Sequence, residues 1–345
     1  MAADNLSEVV LDMVQKTETI VGKQPRTICW MGDLPDHVRE APLLSLCIPG
    51  SHNSFTYSLE RTGTAGPDQP EFVKQLITKF PGVSCSTLYK WSVTQGLNLV
   101  AQLESGIRYF DIRLQAVTEE EQRVFKILHC LLGTNIMGLM EEIKKFLDEN
   151  KTEVVILDFQ RLYEFEESDH EKLIDLLVTL FKDMLCTWSQ DISKISLASL
   201  DASGARLILI YPSIWDKKYA ELRKMKLDSD TLSLLWGRNF CPTPWPDTSS
   251  TNTLRQFLDS KLDERDGKML FISQGILTPD WKTIMFRAFS NLDSAMASKS
   301  NTVVRDWLKK LQTANKKPNI VITDFVGIRQ CSWDIIYTLI KMNSL

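Results

Sequence analysis

Apolar runs of strand length alternate with amphipathic helical segments along almost the whole chain. That alternation limits the folds open to it more than any other feature of the sequence. Strands are predicted at Leu43–Ile48, Ile107–Leu114, Val124–His129, Glu153–Phe159, Arg206–Tyr211, Thr231–Trp236, Met269–Ser273 and Asn319–Asp324. Helical stripes fall between most of them, at Asn98–Ser105, Met137–Asn150, 168–185, Leu254–Leu262, Thr302–Ala314 and Trp333–Met342. Strand followed by helix followed by strand, about eight times over, argues for parallel strands joined by crossover helices. Glu153–Phe159 is nearly all apolar, as a strand covered on both faces should be. An open doubly wound sheet and a closed barrel both satisfy the order. No GxGxxG or GxxxxGK phosphate loop follows the first strand, so the (β/α)8 TIM-like barrel is the better fit, as a single α/β domain. Its expected extent is residues 30–345, after an N-terminal tail or short amphipathic helix within 1–29.

Composition narrows the function. The 345 residues are 43% hydrophobic and 24% charged with a net charge of −4, so no basic excess points to nucleic acid. The seven cysteines are odd in number and form no CxxC, which disfavours a disulfide framework or a zinc site. No basic-then-apolar leader opens the chain, and no apolar run reaches the roughly 18 residues of a membrane span. A cytoplasmic protein without a transmembrane segment is expected.

Polar residues gather at the ends of the predicted strands, which in a barrel converge on one mouth. Pro49 and Gly50 break the first apolar run and deliver His52 to a loop at its rim. Asp111 and Arg113 share one face of the second strand with Ile107 and Tyr109, while Arg108, Phe110 and Ile112 take the other. His129 ends the third strand, Asp158 and Gln160 the fourth, Tyr211 the fifth and Asp324 the last, while Gln274 follows the strand at 269–273. Of the four histidines, His37 and His170 fall in polar segments expected to be exposed; His52 and His129 both fall at strand ends. Two histidines with an arginine suit phosphodiester cleavage. One imidazole deprotonates an attacking hydroxyl, the other protonates the leaving oxygen, and a guanidinium meets the charge on the phosphate. No GxSxG elbow and no HxH or HExxH metal pair is present.

PGSHNSF at 49–55, GIRYFDIR at 106–113, ILHCLLG at 127–133 and EVVILDF at 153–159 resemble, in order and spacing, the X region of phosphatidylinositol-specific phospholipase C. GPDQ at 66–69, WSVTQ at 91–95 and SQGILTP at 273–279 are similar to the small animal members that consist of the X domain alone. The likeness runs from about Trp30 to the C-terminus, and an X-domain protein without PH, EF-hand, C2 or Y regions is expected. It implies a distorted barrel, a phosphoinositide membrane lipid as partner, cleavage of its headgroup and transient peripheral association with a membrane. By matching motifs, His52 is expected to be the general base on the inositol 2-hydroxyl and His129 the general acid on the diacylglycerol oxygen. Arg113 is expected to bind phosphate, with Asp111 beside it, and Asp324 to orient His52. Asn53, Gln160 and Tyr211 are the expected substrate contacts.

The pattern departs from the bacterial enzymes at two positions. Asn53 stands where they carry Asp, as in PGTHDS, and a neutral amide holds a charged imidazole less well. Cys130 follows His129 where Gly is commoner. No cofactor is expected. Calcium is disfavoured, because Asn53, Asp111, Arg113 and Gln160 offer one carboxylate and a cation where a hard divalent ion needs several carboxylates. Trp215, Trp236 and Trp245 lie in or beside loops, where they either insert at a bilayer surface or cap the core.

Overall fold

The computed structural model describes residues 27–61, 65–69, 74–75, 81–189, 191–212, 222, 224–279, 283–284 and 290–344. The expected tail therefore lies outside the described residues up to position 26, and so does Trp215. Among the described residues nine strands form one sheet: β1 (Ile48–Ser51), β2 (Tyr109–Glu119), β3 (Gln122–His129), β4 (Leu131–Asn135), β5 (Val155–Tyr163), β6 (Leu207–Tyr211), β7 (Leu235–Gly237), β8 (Ile272–Gln274) and β9 (Ile320–Thr323). Seven of them run parallel in the order β7-β6-β5-β2-β1-β9-β8. Among the described residues no ladder joins β7 to β8, so the TIM-like barrel is distorted at that seam.

The period of two along each strand sorts the side chains into two apolar layers. Ile48, Tyr109, Ile156, Ile210, Trp236 and Ile322 fill the inside of the curl. Phe110, Ile112, Leu157, Phe159 and Leu209 face outward, into the same layer as the buried stripes of the helices Ile136–Glu149 and Glu167–Phe181. Position 50 falls on the inner face opposite Tyr109 and Ile322 and is glycine because a Cβ there would come within 2.8 Å of Ile322 and 2.9 Å of Tyr109.

Three sequence expectations are corrected here. The first strand does not occupy Leu43–Ile48. Leu43–Ser45 is a 3-10 turn, and β1 begins at Ile48, where the backbone N–H can pair with the carbonyl of Asn319 at 2.7 Å. The Asn319 side chain holds the preceding turn by donating to the carbonyls of Leu43 and Leu46. Val124–His129 is not a parallel barrel strand either. It belongs to β3, which returns antiparallel along β2 and continues into antiparallel β4. Only Glu120 and Glu121 separate β2 from β3, both with positive φ (47° and 63°), and a two-residue link can make a hairpin but not a parallel crossover. The first half of Thr231–Trp236 is helical, as part of Ser229–Ser233, because Asp228 caps that turn by accepting from the Thr231 N–H at 2.8 Å; only Leu235 and Trp236 are strand, in β7.

A buried ion pair closes the floor of the barrel. Arg108 and Glu153 are both fully buried, with Nε to Oε2 at 2.8 Å. The rest of the Arg108 guanidinium donates to the carbonyls of Leu103, Ile107, Thr27 and Ile28, and Glu153 also accepts from the Gly32 N–H at 2.9 Å.

Candidate active site

At the opposite end of the strands the chain assembles a polar cleft. β1 ends at Ser51, and the backbone turns tightly through Asn53, whose φ is 43°. Ser51 and Ser54 close that turn through their hydroxyls at 2.7 Å. The turn leaves His52 facing the end of β9, its neighbour in the sheet. His52 Nδ1–H donates to Asp324 Oδ1 at 2.7 Å, across 272 residues of sequence. With that proton committed, Nε2 is the acceptor, and the Asn53 side-chain amide donates to it at 3.1 Å.

Asp111 and Arg113 come from β2, next to β1 on its other side. Asp111 Oδ2 accepts from the Asn53 backbone N–H at 3.0 Å and lies 3.9 Å from His52 Nε2. Arg113 Nη2 lies 3.8 Å from that carboxylate and 3.5 Å from His52 Nε2. Two opposite inward charges on one strand are thus brought together beside His52. Asp111 Oδ1, Arg113 Nε and Asn53 Oδ1 are buried atoms with no hydrogen bond, three polar groups left open beside one imidazole.

His129 reaches the same cleft from the hairpin, at the end of β3. Its Nδ1–H donates to the carbonyl of Ser92 at 2.7 Å, which leaves Nε2 with the free lone pair. The two imidazole rings stand 6.5 Å apart, at 74° to each other. Burial, and then the nearby Arg113, push the His129 pKa down to about 3. Next to it Cys130 takes a positive φ of 63°, and burial with the adjacent Asp68 carboxylate raises its thiol to about 12. The cleft between the histidines has a volume of about 420 Å³. Its far wall is apolar, built from Leu88, Trp91, Ile276, Leu277 and Leu292. Trp245 lines its edge, 54% exposed, with Nε1–H donating to Thr278 at 3.0 Å.

Not every expected residue joins this cleft. Gln160 lies in a separate, deeper cluster: it donates to Asp158 Oδ2 at 2.9 Å and accepts from Arg238 at 2.8 Å. Tyr109 donates to the same Asp158 oxygen at 2.5 Å, and Arg238 to its other oxygen at 2.8 Å. Tyr211 is a correction. The side chain points out of the barrel, beneath the helix Glu167–Phe181, and its hydroxyl meets His170 Nδ1 at 2.9 Å. Position at a strand end identified Tyr211, but the parity of the strand turned it outward. His170, expected in an exposed segment, is fully buried in the same contact, whereas His37 is exposed. Trp236 is fully buried and donates to the carbonyl of Cys186, so it caps the core.

Three residues of the site region escape a reading of the sequence. Asp68 lines the cleft and accepts from the Cys130 N–H at 2.9 Å, with its other oxygen buried and unpartnered. Ser92 supplies the carbonyl that orients His129. Arg238 follows β7, a strand end like the others, but the apolar pattern places that strand too early in the chain. GPDQ and WSVTQ, which contain Asp68 and Ser92, signal kinship without signalling a role.

The sequence model of the family described as phosphatidylinositol-specific phospholipase C, X domain, matches residues 86–211. The chain is 32% identical over 321 residues to PI-PLC X domain-containing protein 3 of Homo sapiens, covering 91% of this chain and 92% of that one. It is likewise 32% identical over 317 residues to PI-PLC X domain-containing protein 2 of Mus musculus, covering 92% and 87%. Among solved structures, the phosphatidylinositol-specific phospholipase C from Listeria monocytogenes superposes with a TM-score of 0.62 at 20% identity, covering 91% of this chain and 99% of that one. That likeness concerns the fold.

Proposed function

Because the chain belongs to the phosphatidylinositol-specific phospholipase C X-domain family, we propose that it cleaves the headgroup phosphodiester of phosphatidylinositol or a related phosphoinositide. One observation carries the reading: a carboxylate-oriented imidazole, His52 on Asp324, faces a second imidazole, His129, at 6.5 Å with a guanidinium alongside. That separation suits a tetrahedral phosphate between the rings. His52 Nε2 takes the proton of the inositol 2-hydroxyl, whose oxygen attacks phosphorus. The bond from phosphorus to the glycerol oxygen breaks, and His129 protonates that oxygen. The products are diacylglycerol and inositol 1,2-cyclic phosphate. Arg113 balances the charge that grows on the non-bridging oxygens. The Asn53 amide, which caps His52 Nε2 in this structure, gives way to the ring hydroxyl.

The enzyme works without a metal on this reading. Arg113 stands 3.8 Å from Asp111, where a calcium ion sharing that carboxylate would meet a like charge. The apolar wall of the cleft and the exposed Trp245 at its edge support action at a lipid surface, from the peripheral side. Among the described residues no helix is long and apolar enough to cross a membrane.

A second reading has its own observation. His129 is held neutral, and Asn53 does not supply the bacterial carboxylate, so a phosphoinositide-binding protein with weak or no turnover is the alternative. One experiment separates them: headgroup release from phosphatidylinositol vesicles in excess EGTA, followed by phosphorus NMR. The enzyme reading expects inositol 1,2-cyclic phosphate as first product. It also expects a loss of roughly 10²–10⁴-fold in His52→Ala and in His129→Ala, and severe impairment in Arg113→Lys, which loses the fork. Vesicle binding with no release from the wild-type chain would establish the alternative, and activity restored only by micromolar calcium would overturn metal independence.

A further inference from the structure

The His52–Asp324 pair joins the ends of two different strands, and the sheet alone does not hold it. β1 and β9 pair as far as Ser51 and Thr323, and one more ladder bond follows, from the His52 N–H to the carbonyl of Thr323 at 3.1 Å. Beyond that point both chains leave the sheet. β1 turns through Asn53, and β9 reverses at Phe325, where φ is 50°. The carbonyl of His52 has no ladder partner, and a buried carbonyl is costly unless something donates to it; the Thr323 carbonyl, with one bond made, keeps a second lone pair open.

Gln95 donates to both. Its Nε2 reaches the His52 carbonyl at 2.8 Å and the Thr323 carbonyl at 2.9 Å. Its Oε1 accepts from the Val326 N–H at 3.1 Å, two residues beyond Asp324. The side chain is fully buried, and each of its polar atoms is spent on the two loops that carry the pair. Its neighbour Thr94 works in the same sense: the hydroxyl donates to the His52 carbonyl at 3.0 Å, and the backbone carbonyl accepts from the Phe325 N–H at 2.7 Å. Two residues earlier, Ser92 orients His129. The segment from 92 to 95 is thus tied to both imidazoles.

We infer that Gln95 is a positioning residue, which sutures the loop of His52 to the loop of Asp324 and keeps the base in its Nδ1–H tautomer, aimed at the substrate hydroxyl. The role in turnover rests on the phosphodiesterase reading above; the role in the pair does not. Gln102 makes a natural control. It is equally buried and donates to two backbone carbonyls, Ser54 at 2.8 Å and Leu97 at 2.9 Å, but touches neither half of the pair.

The test uses the full chain and two readouts. One is the proton resonance of the His52 Nδ1–H, assigned by its loss in His52→Gln, together with the ring ¹⁵N shifts that report the tautomer. The other is kcat and KM for headgroup release. Gln95→Met keeps the length and removes the donors; kcat should fall about 10²-fold at unchanged KM, as misaligned catalytic groups do. The Nδ1–H resonance should be lost to exchange, with the His129 signals in place. Gln102→Met should lower the melting temperature comparably and keep the His52 resonance. If Gln95→Met does not fold, Gln95→Asn, too short by one methylene to span both carbonyls, should show the same loss in weaker form. A retained resonance with unchanged kcat in the Gln95 variants overturns the inference, and so does an equal loss in Gln102→Met. A wild-type chain that is inactive but loses the resonance in Gln95→Met would sink the phosphodiesterase reading and leave the suture standing.

Discussion

His129 has to be charged to act as an acid, yet burial and Arg113 hold it neutral down to about pH 3. A phosphodiester entering between the rings changes both terms. Its negative charge favours the imidazolium, and it engages the guanidinium that had opposed protonation. Binding of an inositol phosphate near neutral pH should therefore draw a proton from solution. Titration calorimetry in buffers of different ionisation enthalpy should show that uptake, and His129→Gln should abolish it; uptake persisting in the variant would assign the proton elsewhere. The same residue sets an acid limit on stability. Its folded pKa lies below the ordinary 6.5, so in that window the unfolded chain binds the extra proton. Its share of stability is whole above about pH 6.5 and is lost as the pH falls toward 3, and His129→Gln should flatten that stretch of the melting profile. None of this is legible in the sequence. ILHC places a histidine at a strand end, but its proton affinity depends on Arg113 and on the carbonyl of Ser92, neither of which is a sequence neighbour.

Strand β3 shows how an element can bring an expected residue to the mouth by an unexpected route. The apolar run Val124–His129 is a strand, as its composition says, and His129 does reach the mouth. It arrives there on an antiparallel return, because the link of Glu120 and Glu121 is too short for a crossover. Those two residues carry none of the usual signal for such a turn, which is Asn-Gly or Asp-Gly, and each sits in the left-handed region where a side chain costs energy. The double substitution Glu120→Asn with Glu121→Gly should raise stability by about 1–2 kcal/mol and leave headgroup release as it was. Thermal unfolding would show it, and an unchanged or lower midpoint would mean that the acidic turn has a compensating contact. Tyr211 is the converse case. Its strand is legible in the sequence, but a shift of one residue decides which face a side chain takes, and composition alone does not report parity when both faces are apolar.

At the scale of the molecule the two ends of the barrel divide the work. The floor is sealed by Arg108 and Glu153, both without solvent exposure. Arg108→Met would leave the Glu153 charge buried and unpaired, at a cost of about 3–5 kcal/mol. Denaturant unfolding should report a loss of that size, while the kcat of the folded fraction stays near wild type because the site is at the other end of the strands. A loss below about 1 kcal/mol would mean that Glu153 finds water or another partner. The mouth is where chemistry is free to gather, since the strand ends leave backbone and side chains unclaimed by the core. What the sequence by itself determined is local: the alternation of strands and helices and most of the segments that form them, the covering of Glu153–Phe159 on both faces, and the histidines, arginine and carboxylates at the strand ends. Periodicity and turn chemistry act over a few residues, so they can be read without the fold. Only the tertiary structure decided which of those residues meet. His52 and Asp324 are 272 positions apart and are joined by the adjacency of β1 and β9. Gln95 is a buried amide of no evident purpose until the two loops close around it. Strand order, register and parity are set by the packing of the whole chain, and they alone bring a row of polar residues together as two imidazoles, a guanidinium and the carboxylates beside them.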